Sequence, residues 1–189
     1  MKLETLHDGR GAAEQSASPA AAPTREFTRA LLDAAPSLRA FAISLAGDVT
    51  RADDLVQETL LRAWANAAAF KLGTNINAWL FTILRNHFAS QYRKRRREVE
   101  DVGGEIAAQV ASPSGQEGHL AMQEMRGALA QLPTEQREAV LLVGASGFSY
   151  EEAAEICGCA VGTIKSRVNR GRLRLAQLLY GDDWRDNLG

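Results

Sequence analysis

Apolar residues recur every three or four positions along most of this chain, and the spacing predicts amphipathic helices in two separate stretches. Residues 25–97 carry the first set, in which Pro36 is expected to interrupt the first helix and Thr50 to open the second. Asn75 is expected to cap a third helix that runs into the basic segment 93–97. No alternating apolar and polar pattern of useful length occurs, so we predict an all-α fold.

A second helical set spans residues 120–182, beyond a segment of different composition. Residues 98–119 hold five acidic side chains, no Lys or Arg, and several Gly, Ser and Pro residues, which is typical of a flexible linker. In the second set Thr134 is a candidate helix cap, and Ser149 with Glu152 forms a capping-box pattern. The chain is therefore expected to form two small helical domains joined by an acidic linker.

Composition narrows the class of protein. Residues 1–24 are rich in Ala, Ser, Gly and Pro and show no apolar period, so a disordered N-terminal tail is expected. No signal peptide or membrane span is apparent, and the two cysteines, Cys157 and Cys159, make a poor zinc site. We expect reduced thiols, a cytoplasmic location, and neither metal nor cofactor.

The segment 161–175, VGTIKSRVNRGRLRL, holds five Lys or Arg residues and no acidic residue. A short capped helix and a Gly-centred turn precede it, which is the layout of a helix-turn-helix. Helical spacing turns Ser166, Asn169 and Arg170 outward, and these residue types suit base edges and phosphates. A solvated basic helix is the alternative, but the preceding helix and turn favour binding of duplex DNA. Lys165, Arg167 and Arg174 are expected on the flanks.

A second basic segment, RNHFASQYRKRRR at 85–97, carries six cations and no acidic residue. Basic residues at a helix C-terminus complement the helix dipole, but one cap needs fewer of them. Aromatic residues beside a basic surface suit unpaired bases, which stack on the rings while the backbone meets the cations. Trp79 is a candidate stacking platform, although a Trp at helical spacing is more often a core residue.

The segment 53–64, DDLVQETLLRAW, presents Asp54, Gln57, Glu58 and Leu61 along one helix edge. This edge is either a solvated face or a protein-docking face, and the residues alone leave both open. No histidine or further carboxylate converges with it, and no phosphate loop or catalytic motif occurs elsewhere. We therefore expect no catalytic residues and no enzymatic activity.

Three segments together resemble one known family. DDLVQETLLRAW, NAWLFTILRNHFASQYRKRRRE and LPTEQREAVLLVGASGFSYEEAAEICGCAVGTIKSRVNRGRLRLAQLL are similar to the extracytoplasmic-function (group 4) sigma factors. Within that family, GTNINAWLFTILRN, RKRRREVED and GASGFSYEEAAEICGCAVGTIKSRVNR most resemble the alphaproteobacterial general stress response sigma factor. The resemblance implies a region 2 domain over 25–97 and a region 4 domain over 120–182.

The resemblance also implies roles for individual residues. It implies docking on the β′ coiled coil of core RNA polymerase by Asp54, Gln57, Glu58 and Leu61. It implies capture and melting of the −10 promoter element by Gly73, Thr74, Asn75, Trp79, Arg85, Asn86, Tyr92 and Arg93. It implies reading of the −35 element by Thr163, Lys165, Ser166, Arg167, Asn169, Arg170 and Arg174.

Further partners follow from the same resemblance. They are the β flap of polymerase, promoter DNA, and a small anti-sigma factor that is itself bound by a sigma-like response regulator. Two departures from the family pattern are Ala160, where a capping residue is common, and Gly171, which is expected to cost its helix about 1 kcal/mol. Three alternatives remain: a sigma-like decoy, a helix-turn-helix regulator that works without polymerase, and an enzyme.

Overall fold

The computed structural model describes residues 24–71, 73–102 and 117–181, and all regular structure within these ranges is helical. Nearly all of the predicted tail and most of the predicted linker lie outside the described residues. The helices are α1 (Arg25–Ala46), α2 (Val49–Ala65), α3 (Ile76–Val102), α4 (Glu117–Ala130), α5 (Thr134–Val140), α6 (Tyr150–Cys157) and α7 (Val161–Tyr180). A 3₁₀ turn, Ala67–Ala69, follows α2, and a π turn, Leu141–Ala145, follows α5. The all-α prediction is confirmed.

Helices α1, α2 and α3 form an N-terminal bundle around the buried residues Leu38, Leu55 and Leu84. The predicted interruption of the first helix is wrong, because α1 continues through Pro36 to Ala46. Pro36 lies on the exposed side of α1, where solvent can hydrate the carbonyl that loses its N–H partner.

The predicted start of the second helix at Thr50 is also wrong. Asp48 is the N-cap of α2, and its carboxylate accepts a hydrogen bond of 2.8 Å from the Arg51 backbone N–H. Asp53, three residues after Thr50, accepts a hydrogen bond of 2.6 Å from Arg39 of α1 and does not cap α2. This guanidinium holds the pKa of Asp53 below its usual range and links the two helices.

Helices α4 to α7 form the C-terminal unit. Thr134 is not a cap: Pro133 holds the N-cap position of α5, and its carbonyl accepts hydrogen bonds of 3.0 Å from both Gln136 and Arg137. The fixed φ of proline suits this entry into a helix, so no hydroxyl cap is needed. None of the described helices has the length and apolar character needed to cross a membrane.

The two units pack against each other. The Phe81 ring of α3 meets the Phe148 ring before α6 edge to face, with centroids 4.9 Å apart. Arg137 of α5 donates a hydrogen bond of 3.1 Å from Nη1 to the carbonyl of Leu45 in α1, and its Nη2 donates to the carbonyls of Ala130 and Leu132. One continuous set of buried residues therefore joins the N-terminal bundle to the C-terminal unit.

Candidate nucleic-acid interface

The helix-turn-helix predicted from the sequence is present as α6 and α7. Ser149 and Glu152 form the expected reciprocal capping box at the start of α6, with hydrogen bonds of 2.9 and 3.1 Å. The Ser149 backbone N–H is the main cause that lowers the pKa of the Glu152 carboxyl. Gly158 ends α6 in the left-handed region, with φ of 62°, and lets the chain turn into α7.

Helix α7 separates a buried face from a basic face. Ile164, Val168 and Leu175 are buried, as their spacing predicts. The opposite side exposes several of the residues assigned to the −35 element: Lys165, Ser166, Asn169, Arg170 and Arg174. Within the described residues, no cation of α7 forms an ion pair with a carboxylate. This face is therefore free to meet phosphates and base edges of a duplex.

Two other residues assigned to the −35 element, Thr163 and Arg167, are half-buried. Arg167 places Nη1 3.8 Å from Sγ of Cys159 in the turn, so part of its guanidinium faces the protein. Burial raises the pKa of the neighbouring Cys157 thiol to about 11, which keeps it protonated at neutral pH. Within the described part of the chain, no group of three His, Cys, Asp or Glu residues is placed to hold a metal.

Gly171 has a packing role that its sequence context did not predict. A Cβ at this position would lie 2.6 Å from Cγ2 of Val140 and 3.3 Å from the carbonyl of Gln136, both in α5. Glycine therefore lets α7 approach α5 more closely than any other residue would. The expected helix-propensity cost of Gly171 is therefore accompanied by a close approach that sets the position of α7 against α5.

The loop before α3 presents three of the residues assigned to the −10 element, all exposed. Gly73 has φ of 87°, a left-handed conformation that favours glycine, and Thr74 follows it. The Asn75 side chain caps α3 as predicted, since its Oδ1 accepts hydrogen bonds from the backbone N–H groups of Asn77 and Ala78 at 3.0 and 3.3 Å. Its Nδ2 donates to Oε1 of Glu152 in the C-terminal unit at 2.8 Å.

The remaining −10 candidates differ in accessibility. Asn86, Tyr92 and Arg93 are exposed on α3, and the Tyr92 ring stacks on Phe88. Trp79 is half-buried and packs against Phe27 and Phe70, with ring centroids 6.2 and 5.3 Å away. Its indole therefore offers only part of its surface to a base.

Arg85, another member of the −10 set, is half-buried. Its Nε lies 3.2 Å from Oε2 of Glu138 in α5, and the side chains of Arg85 and Glu138 are 20% and 4% exposed. Burial raises the pKa of Glu138 above its ordinary value, although Arg85 opposes the change. Two members of the −10 set, Asn75 and Arg85, are thus bonded to carboxylates of the other unit.

The candidate docking face on α2 is largely solvent-exposed. Asp54, Gln57 and Leu61 are exposed, and the half-buried Glu58 accepts a hydrogen bond of 2.8 Å from Arg62. Trp64 of α2, a large apolar residue at helical spacing, is 46% exposed. It lies one turn beyond Leu61, so the same i, i+3 spacing extends this face and could have identified it.

Comparisons with known proteins agree with this architecture. The family model for Sigma-70 region 2 matches residues 31–98, and the model for Sigma-70, region 4 matches residues 122–175. The ECF RNA polymerase sigma factor EcfG of Rhodopseudomonas palustris strain TIE-1 is 66% identical over 156 residues, which cover 82% of this chain and 86% of that relative.

Two solved structures extend the comparison. The complex of the sigma factor RpoE with the anti-sigma factor NepR from Bartonella quintana matches with a TM-score of 0.79 and 55% identity, over 84% of this chain and 99% of that chain. The complex of the anti-anti-sigma factor PhyR with NepR from the same organism matches with a TM-score of 0.51 and 18% identity. That match covers 79% of this chain and 49% of the other, and it shows a shared fold alone.

Proposed function

This chain belongs to the ECF family of RNA polymerase sigma factors, which initiate transcription at specific promoters, and we propose how its surfaces divide that work. The α2 face that includes Asp54 and Leu61 docks on the β′ coiled coil of core polymerase. The exposed face of α7 reads the −35 element as duplex DNA. The start of α3 captures a base of the separated −10 element, and the basic end of α3 holds the backbone.

One observation supports this division: the chain presents two basic surfaces on different helices. The first lies on α7, the second helix of the helix-turn-helix, and the second lies on α3 beside exposed amide and aromatic side chains. A single duplex-binding regulator needs only the first of them. The second, with Asn75, Asn86 and Tyr92, has the side chains that unstacked bases require. This pairing favours a factor that binds one element as duplex and the other as separated strands.

The regulation that we propose for this chain is based on the partners present in the similar solved structures. We propose that a small anti-sigma factor of the NepR kind binds this chain, and that a sigma-like response regulator of the PhyR kind removes it. The target genes are stress genes. The chain acts in the cytoplasm, without catalysis of its own and without a cofactor, since its part is to position polymerase and DNA. Its two domains are residues 25–97 and 120–182.

Run-off transcription tests the proposal against its alternatives. Core RNA polymerase, the purified chain and a template with −35 and −10 elements upstream of a reporter should give a transcript of defined length. A polymerase-independent regulator would bind the duplex but add no transcript, and a sigma-like decoy would bind only the inhibitor. Absence of a transcript with active core polymerase and several candidate promoters would contradict the sigma assignment.

The docking face has a test of its own. Replacing Asp54 and Glu58 with Lys reverses two charges on α2, and we expect core polymerase to be retained at least about tenfold less well, equivalent to a loss of about 1.4 kcal/mol. Asp33→Lys, on the exposed side of α1, is the charge-matched control for one of these changes. Wild-type retention of the double variant, with an unchanged circular dichroism spectrum, would return these residues to a solvated face.

A further inference from the structure

We infer that Phe27 and Phe70 are positioning residues for the loop Gly73–Asn75, which we call the −10 loop. Together with Trp79 they form a cluster of three aromatic rings, the ring cluster, at the base of that loop. This role rests on the proposed function, in which the −10 loop captures an unstacked base. The rings hold the loop in the conformation that receives the base, and the loop makes the contact.

The three rings of the cluster contact one another and connect three parts of the N-terminal bundle. The Phe70 and Trp79 rings have centroids 5.3 Å apart, and the Phe27 ring lies 5.8 Å from Phe70 and 6.2 Å from Trp79. All three pairs are tilted, and their separations lie in the range of favourable aromatic contacts. Removing any one ring therefore weakens the support of the other two.

Phe70 and Trp79 lie on opposite sides of the −10 loop in the chain. Phe70 directly follows the 3₁₀ turn Ala67–Ala69, and Trp79 lies in the first turn of α3. Because their rings touch, the entry and the exit of the loop are held close together. Phe27, in the first turn of α1, packs against both rings, so α1 also fixes the place of the loop.

The −10 loop itself has an open backbone. Its Thr74 donates from the backbone N–H and from the hydroxyl to the carbonyl of Lys71, at 3.2 and 2.7 Å. A Cβ added to Gly73 would meet no atom within 4 Å, so an unstacked base has room to approach there. A loop that is open in this way depends on where its two ends are held.

The ring cluster suits positioning better than direct stacking on a base. All three rings are half-buried, and each already faces the other two. The cluster also belongs entirely to the N-terminal bundle, whereas Asn75 of the loop bonds Glu152 of the C-terminal unit. The support that the rings give is therefore independent of that bond. A receptor loop held in its competent conformation binds more tightly, since apparent affinity scales with the competent fraction.

The first test measures the loop in the free, full-length chain. Phe27→Leu removes one ring of the cluster, and Phe41→Leu is the matched control, because it makes the same change in α1 at a buried ring that pairs with Phe81 instead. Hydrogen exchange of the Thr74 and Ala78 backbone N–H groups, followed by NMR, should be about tenfold faster in Phe27→Leu than in the control. Equal exchange in the two variants would overturn the positioning role.

The second test measures base preference in the complex of each full-length variant with core RNA polymerase. Random-sequence 12-nucleotide single strands are bound to the complex, recovered and sequenced, with core polymerase alone as background. Enrichment of the preferred base should fall about tenfold in Phe27→Leu and persist in Phe41→Leu and in Phe27→Tyr, which keeps the ring. The salt dependence of total binding should be the same in all of them, because the cations of α3 are untouched.

Phe70→Leu removes a different ring and should give both results if Phe27→Leu does not fold by circular dichroism. Full base preference in Phe27→Leu, or an equal loss in a folded Phe41→Leu, would overturn the positioning role. Failure of the −10 assignment is separate. In that case the wild-type complex would show no base preference beyond that of core polymerase, although exchange at Thr74 still differed, and the rings would support the fold alone.

Discussion

The two proposed nucleic-acid surfaces of this chain differ in how many of their side chains are already bonded within the protein. On α7 the side chains of Lys165, Asn169 and Arg170 are exposed, and helix packing on the opposite face already holds them in position. On α3 and the loop before it, Asn75 and Arg85 are bonded to carboxylates of the C-terminal unit. The proposed duplex-reading surface is therefore exposed in the described fold, whereas two side chains of the proposed surface for separated strands are bonded to the other unit.

This difference matches the order in which the two elements become available. A −35 duplex exists before polymerase arrives, so a rigid, exposed helix can read it at once. Unstacked −10 bases exist only after strand separation, so a surface for them is useful only later. Until then the bonds to Asn75 and Arg85 leave two fewer side chains for single strands to contact.

The largest expected effect comes from changing the support of α7 without touching its exposed face. In Gly171→Ala the new Cβ would meet Val140 at 2.6 Å, so we expect a loss of about 3 kcal/mol in the free energy of unfolding. Chemical denaturation followed by circular dichroism measures it. Gly162→Ala is the control, because a Cβ added there would have no neighbour within 4 Å, and we expect no loss. Equal stability of the two variants would show that α5 moves aside freely.

A smaller effect is expected on the preformed face itself. Arg170→Ala removes an exposed guanidinium, and we expect −35-dependent initiation to weaken by about 2 kcal/mol if Arg170 bonds a base edge. The same substitution at Arg172, elsewhere on α7, is the control for loss of one positive charge. Run-off transcription from templates with single −35 substitutions measures both. An unchanged promoter preference in Arg170→Ala would limit this residue to phosphate contacts.

Much of the fold was predictable because local rules decide it. The capping box of Ser149 and Glu152, the cap at Asn75 and the buried stripe of α7 all depend on residues three or four positions apart. The errors at Pro36, Thr50 and Thr134 have one kind of cause. At Thr50 and Thr134 the N-cap position is held by another residue, Asp48 or Pro133. At Pro36 the helix continues because solvent reaches the carbonyl that lacks an N–H partner. The local pattern encodes neither outcome.

The features of the candidate site that could not be predicted from the sequence depend on contacts between residues far apart in the chain. Asn75 and Glu152 are 77 positions apart in the chain, and Arg85 and Glu138 are 53 apart. No periodic pattern links such pairs, so the engagement of the −10 residues became visible only in the folded chain. The close approach of Gly171 to α5 was hidden for the same reason. Trp64 is different, since the spacing that identified Leu61 already pointed to it.

The smallest expected effect is a pH dependence of the closed state, in which the two units pack against each other as they do in the structure. Glu138 faces Arg85, Arg167, Glu135 and Cys157, and its pKa is raised in the closed state, mainly by burial. The closed state therefore binds this proton more tightly than an open state in which the carboxyl is hydrated. Closure should strengthen as pH falls towards the raised pKa and weaken as pH rises through it.

Scattering between pH 7 and pH 5 should accordingly show a modest decrease in the radius of gyration of the wild-type chain, while Glu138→Gln stays compact throughout. The amide imitates the protonated acid, so it removes the cost of burying a charge and can still accept from Arg85. Expansion of Glu138→Gln at neutral pH would mean that the Arg85 ion pair, rather than the neutral contacts around it, holds the two units together.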